Sequence, residues 1–204
     1  MRSRSATLET AILGLLADSP LHGYELRKRL NLLLGSFRAL SYGSLYPCLK
    51  TLASRGLIEG QESNELPPHA LTAKRSRVVY QLTADGKEYL HEVLASSGPA
   101  AWEDENFDVR FALFSLTDVE TRIRILEGRR ARLTERLEVA RSSSSEHANR
   151  LDEFASELRR HSLEQVEREV RWLDSLINTE RDRRHARINN AEGKNPGTEV
   201  KEQG

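Results

Sequence analysis

Cysteine is almost missing from this chain of 204 residues. Cys48 is the only one, so no disulfide can close within it, and that usage fits a reducing compartment. Aromatic residues make up 6%, too few for one deep aromatic core. No apolar run approaches the ~20 residues that cross a bilayer, and the opening MRSRSATLET lacks the apolar stretch of a secretion signal. These absences exclude disulfide-stapled and membrane-spanning classes and point to a cytoplasmic protein with no membrane partner. Catalytic signatures are missing as well. The 6 histidines stand singly. Glu88, His91 and Glu92 share a helix face, but no second cluster completes a metal's coordination sphere. There is no phosphate-cradling glycine loop, nucleophile elbow or paired-carboxylate site. Neither an enzyme, a metal nor a cofactor is expected.

Net charge is also absent, with 31 basic residues against 31 acidic, but the distribution is uneven. From His22 to Arg77 there are 9 basic and 4 acidic residues, and the second half of the chain is acidic. One absence is local. In SYGSLYPCLKTLASRGLIEG, from Ser41 to Gly60, no carboxylate occurs before Glu59. Leu45, Leu49, Leu52 and Ala53 fall on one helical stripe for burial. The opposite face reads Tyr46, Lys50, Thr51, Ser54 and Arg55, with Ser41, Tyr42 and Ser44 at its entrance.

The surrounding pattern gives that helix a context. LETAILGLLADSP reads as a first helix stopped at Ser19-Pro20, and HGYELRKRLNLLLG as a second ended by Gly35. Pro47 belongs in a first helical turn, which makes Ser44 the expected cap of the third helix, and Gly56 its stop. LIEGQE and RVVYQLT read as strands. Between them SNELPPHALTAKRS is a long polar loop, and Lys74, Arg75 and Arg77 gather at its end. A fourth helix follows from Ala84. Three helices, two strands around a loop and a helix describe a winged helix-turn-helix with a two-stranded wing.

The second half is different in kind. Thr117 to Glu120 forms a capping box. Beyond it Val119, Leu126, Leu133 and Ala140 recur every seven residues, with Ile123 and Leu137 on the second seam and Arg130 interrupting it. Ser142 to Ser145 is the expected break. A second helix then carries Leu151, Phe154, Leu158, Leu163, Val166, Val170, Leu173 and Ile177 inward. The two should form an antiparallel hairpin that also packs on a second copy. Dimerisation residues are therefore Val119, Ile123, Leu126, Leu133, Leu137, Val166, Val170, Leu173 and Ile177. The whole is a mainly α fold, divided into a winged-helix DNA-binding domain at 6–97, a linker with a short helix at 98–117, a coiled-coil dimerisation domain at 118–188 and a disordered tail at 189–204.

The acid-free face has a physical purpose in such a fold. The second helix of a helix-turn-helix buries one stripe while the other enters the major groove. Hydroxyls and tyrosines can meet bases or phosphate oxygens, Lys50 and Arg55 can meet guanine edges or phosphates, and a carboxylate would repel the backbone. Lys74, Arg75 and Arg77 fit a wing gripping flanking phosphate. The DNA-contacting set is Ser41, Tyr42, Ser44, Tyr46, Lys50, Thr51, Arg55, Lys74, Arg75 and Arg77. Trp102, Phe107, Phe111 and Phe114 cluster where the halves join. They serve either packing or a small-molecule effector pocket at a domain junction.

Together, LETAILGLLADSPLHGYEL, SYGSLYPCLKTLASRGLIEG and VVYQLTADGKEYL, in that order and spacing, resemble the PadR family of transcriptional regulators over residues 6 to 95. The second half is similar in plan to the helical C-terminal domain of the longer PadR subfamily. The resemblance implies a homodimeric winged-helix repressor on inverted-repeat double-stranded DNA, released in many members by a small molecule. The wing departs from the family's glycine-rich turn, reading ALTAKRSRVVY after a PPHALT insertion. The competing expectation is a winged-helix and coiled-coil module that binds a protein partner and no DNA.

Overall fold

The computed structural model describes residues 2–34, 42–62, 78–147 and 152–192. They fall into two compact units, Met1–Asp118 and Val119–Gly204. In the first unit, helices α1 (Arg2–Asp18), α2 (Gly23–Leu34) and α3 (Tyr42–Ser54) precede strands β2 (Ile58–Glu62) and β3 (Val78–Leu82). Helices α4 (Ala84–Ala95), α5 (Pro99–Trp102) and α6 (Asp104–Ala112) follow, then a 3-10 turn at Phe114–Leu116.

Among the described residues the sheet has three strands, the two of the expected wing and one more. A short strand β1 (Leu21–His22) pairs antiparallel with β3, giving the order β1-β3-β2. Two residues carry no readable alternation, so only the pairing reveals them. The wing strands are antiparallel, running from Ile58 opposite Leu82 to Glu62 opposite Val78. The loop that joins them, with Lys74, Arg75 and Arg77, lies outside the described residues, as does Ser41.

The core of this unit is leucine-rich, as the helical stripes require. Ile12 and Leu13 of α1, Leu26 and Leu30 of α2, and Leu45, Leu49 and Leu52 of α3 are all essentially inaccessible. Truncating one such leucine to alanine costs about 2–5 kcal/mol, transfer and cavity terms combined. Ala53, placed by periodicity on the buried stripe, is exposed, and Cys48 is buried instead. Burial drives the Cys48 thiol pKa up to about 12, with the Glu9 carboxylate adding to the shift. Residues 98–117, expected as a linker, pack into this unit: Val109 and Leu113 belong to its core, and a Cβ on Gly14 would meet Leu113 Cδ2 at 2.4 Å.

In the second unit, α7 (Val119–His147) and α8 (Glu153–Glu192) form the expected antiparallel hairpin. Ion pairs stitch it in register: Arg122 with Glu180 at 3.1 Å, Arg129 with Glu169 at 2.8 Å, and Arg130 with Asp174 at 2.9 Å. Arg130 thus interrupts the seam by reaching across to an acid. The serine run does not break α7. The Ser142 hydroxyl donates to the Val139 carbonyl of its own helix at 3.0 Å, and the helix continues to His147. Asp152 starts α8 by accepting the Ala155 N–H at 2.7 Å, a capping bond that the serine pattern concealed. Helix α8 extends through Glu192, so residues 189–192 are helical where a tail was expected; 193–204 lie outside the described residues.

Candidate nucleic-acid interface

Helix α3 ends in a Schellman arrangement. The Leu57 N–H donates to the Leu52 carbonyl and the Gly56 N–H to the Ala53 carbonyl, both at 3.0 Å. Gly56 supplies the positive φ of 71° that this turn needs. Thr83 then ties the turn to the wing and to α4. Its hydroxyl donates to the Gly56 carbonyl at 2.6 Å, its N–H donates to the Leu57 carbonyl at 3.2 Å, and its oxygen accepts the Gly86 N–H at 3.0 Å as the α4 cap. The orientation of α3 is therefore set at its C-terminal end by backbone bonds to the following strand and helix. At the other end α3 begins at Tyr42, so Ser44 lies inside the helix and Pro47 sits beyond the first turn. Pro47 lacks the N–H that would bond the Gly43 carbonyl.

The outer face of α3 is formed by Pro47, Lys50, Thr51 and Ser54, all exposed and at helical spacing. Lys50 makes no ion pair among the described residues. The Thr51 hydroxyl donates to the Pro47 carbonyl at 3.0 Å and the Ser54 hydroxyl to the Thr51 carbonyl at 2.8 Å. Each oxygen keeps acceptor capacity and can turn its proton outward. Ser44 and Tyr46 are half-buried on the flanks. Tyr46 packs on the core, and its hydroxyl oxygen would lie 3.3 Å from a Cβ on Gly23. The Tyr80 phenol is held above its usual pKa, first by burial and then by Tyr46 nearby. The placement of Tyr42 at the first residue of α3 is described; that of its side chain is not.

Arg55 has an intramolecular partner. Its Nη1 meets Glu9 Oε2 of α1 at 2.7 Å, and its guanidinium carbon lies 4.8 Å from the centre of the Tyr89 ring of α4. The Tyr89 phenol and the Glu9 carboxylate beside it hold its pKa above the ordinary arginine value. Of the two cations read on this helix, one is a strut between α1, α3 and α4, and Lys50 is the one presented outward. Neither Glu9 nor Tyr89 carried any sequence signal for this, being 46 and 34 positions away from Arg55 in the chain.

The aromatic group forms a contiguous stack. Phe107 and Phe111 lie 5.9 Å apart at 23°, and Phe111 meets Phe114 edge-on at 5.1 Å. Phe107 is buried and Trp102 half-buried, all within the first unit.

A helix held by its C-terminal turn, with an apolar back, an outward lysine and hydroxyls and a two-stranded wing following, is the arrangement of a winged helix-turn-helix. Residues 12–92 match the model of the Transcriptional regulator PadR-like family. Residues 12–92 are a PadR-like domain. The negative transcriptional regulator PadR of Bacillus subtilis is 33% identical over 92 residues, which cover 45% of this chain and 47% of that protein. The match therefore spans about half the length of that curated relative. Among solved structures, a PadR-like transcriptional regulator from Bacillus cereus is 32% identical, over 45% of this chain and 82% of its own, with a TM-score of 0.36. The Bacillus subtilis PadR in complex with operator DNA is 24% identical, over 85% of this chain and 98% of its own, with a TM-score of 0.38. The PadR-like domain contains α3, Lys50, both wing strands and the Thr83 knot; α5, α6 and the hairpin lie beyond the matched residues.

Proposed function

We propose that this protein is a sequence-specific DNA-binding transcriptional regulator, a homodimeric repressor of the PadR type that responds to a small molecule. The observation that carries the reading is the outward face of α3, where Lys50, Thr51 and Ser54 stand exposed on a helix whose back is locked in the core. Set in the major groove, Lys50 meets a guanine edge or a phosphate and the hydroxyls meet bases or the backbone. Tyr42, Ser44 and Tyr46 stand at the helix entrance, and Ser41 with the wing cations Lys74, Arg75 and Arg77 completes the contact set on flanking phosphates. Arg55 acts by holding α3 in place. The name of the relative, a negative regulator, supports repression. A cytoplasmic location accords with that role, and no described helix is long and apolar enough to cross a membrane.

Dimerisation uses the hairpin. Val119, Ile123, Leu126, Leu133, Leu137, Leu173 and Ile177 are already buried in the single chain, with Val166 and Val170 half-buried beside them. They build the hairpin itself. Among the described residues of the hairpin, Phe154, Leu158 and Ile188 offer apolar surface to a second copy, and Phe154 is 84% exposed although periodicity placed it and Leu158 inward. Two copies present two α3 helices to half-sites about one helical turn, or a multiple, apart. The aromatic stack Phe107, Phe111 and Phe114 with Trp102 is the proposed wall of the effector pocket.

The test is binding to selected genomic fragments and to scrambled duplexes at several salt concentrations. A steep fall of affinity with salt and loss of about 1–3 kcal/mol for Lys50→Ala on the preferred site are expected. Unchanged site affinity for Lys50→Ala would remove α3 as the reading head.

A further inference from the structure

Arg110 is an unusual arginine. It is 5% exposed, yet among the described residues no carboxylate pairs with it. Its Nη1 donates to the Val93 carbonyl, and its Nη2 to the carbonyl and, at 2.9 Å, to the hydroxyl of Ser96. These acceptors close the C-terminal end of α4, where a cation is favoured by the helix dipole. They occupy only part of a guanidinium that carries five N–H groups. Burial holds its pKa below the ordinary arginine value. A charge so placed is ordinarily paired, because desolvation of a lone ion is costly.

Beside it lies a cavity of about 130 Å³ between α1, α4, α5 and α6. Among the described residues, Arg110 is the only charged one in its lining. Val93, Ala101 and Val109 make apolar wall, and the polar neighbours Thr7 and Asn106 are already bonded to each other, with Asn106 Nδ2 donating on to the Ala100 carbonyl at 2.8 Å. The volume falls below the roughly 150 Å³ that takes a benzene ring. One cation, apolar walls and that volume suit a monoanion with a short hydrocarbon tail. A phosphate would bring more charge than a single arginine offsets, and no tail for the walls.

We propose that this cavity is a binding site for a short-chain monocarboxylate, whose carboxylate is taken by the donors of Arg110 that α4 leaves over and whose tail lies against Val93, Ala101 and Val109. The site is separate from the aromatic stack and does not depend on DNA binding. Its ligand bridges α1, α4 and α6.

The full chain is titrated with sodium butyrate and with butyramide by calorimetry and saturation-transfer NMR. Butyrate binds one per chain, and the amide, which lacks the charge, binds about tenfold more weakly or less. Arg110→Lys keeps the charge but loses the planar fork, and weakens butyrate by a similar factor. Since Arg110 also closes α4, Thr10→Met provides an arm that leaves it untouched. Thr10 lines the cavity and its hydroxyl bonds only its own helix, donating to the Ala6 carbonyl at 3.0 Å. Thr10→Met fills the space and abolishes butyrate binding, with circular dichroism and melting unchanged. Equal binding of acid and amide, butyrate binding that survives Thr10→Met, or no binding of any acid from acetate to valerate overturns the proposal. DNA binding is measured in parallel on the same samples. Its loss would count against the regulator reading alone, and its persistence without butyrate binding would count against this site alone.

Discussion

Gly86→Ala should destabilise the first unit, although helix propensity points the other way. Gly86 lies in the first turn of α4, where replacing glycine by alanine favours the helix by up to about 1 kcal/mol. The added Cβ, however, would stand 1.9 Å from the Leu57 carbonyl oxygen and 2.9 Å from its carbon. Both atoms are backbone, so no side-chain rotation relieves the clash. Either α4 or the start of β2 must move by more than 1 Å to restore an ordinary contact of about 3.4 Å. That movement stretches the Thr83 N–H bond to Leu57, now 3.2 Å, and the Thr83 cap on Gly86, now 3.0 Å. Overpacking costs about 1–3 kcal/mol, and weakening one hydrogen bond and a cap about 1 kcal/mol each. Set against the propensity gain, the net loss is about 2–4 kcal/mol. For a unit of this size that lowers the melting temperature by at least about 6 °C. Urea denaturation and calorimetry of the full chain measure it, and operator affinity should fall as α3 loses its C-terminal anchor. A melting temperature for Gly86→Ala equal to or above that of the parent would refute the packing assigned to Thr83, Leu57 and Gly86.

Arg55→Ala should lower stability by about 1–2 kcal/mol, from a partly screened ion pair and a ring contact, while Lys50→Ala stays within about 0.5 kcal/mol of the parent; equal stabilities in urea would sink the strut. Cys48 should resist thiol reagents in the native protein and react on unfolding. Because its folded pKa is raised from 9.0 to about 12, its contribution to stability is present below pH 9 and is lost as the pH climbs toward 12; labelling at neutral pH without unfolding would contradict its burial. Phe154→Glu with Leu158→Glu should convert dimer to monomer in light scattering while helicity is retained, and an unchanged dimer would move the interface elsewhere.

The amino-acid sequence by itself determined the periodic elements and their order. The Gly56 stop and the β-branched run of β3, whose residues are all half-buried, were readable from residue type. The leucine stripes of α1, α2 and α3 and the hairpin of charged helices are local patterns, readable because burial repeats at the period of a helix. The acid-free face of α3 was legible for the same reason. Tertiary structure decided whatever depends on residues far apart in the chain. It gave Arg55 to Glu9 and Tyr89, leaving Lys50 as the outward cation. It recruited Leu21 and His22 as a third strand, too short to have a period. It drew residues 98–117 into the core of the first unit through Val109 and Leu113, and buried Arg110 against the end of α4. On α8 it left Phe154 and Leu158 exposed, because periodicity identifies an apolar face without saying whether the same chain covers it. A pattern along one helix reports which side chains avoid water; which partner excludes the water is a property of the assembled fold.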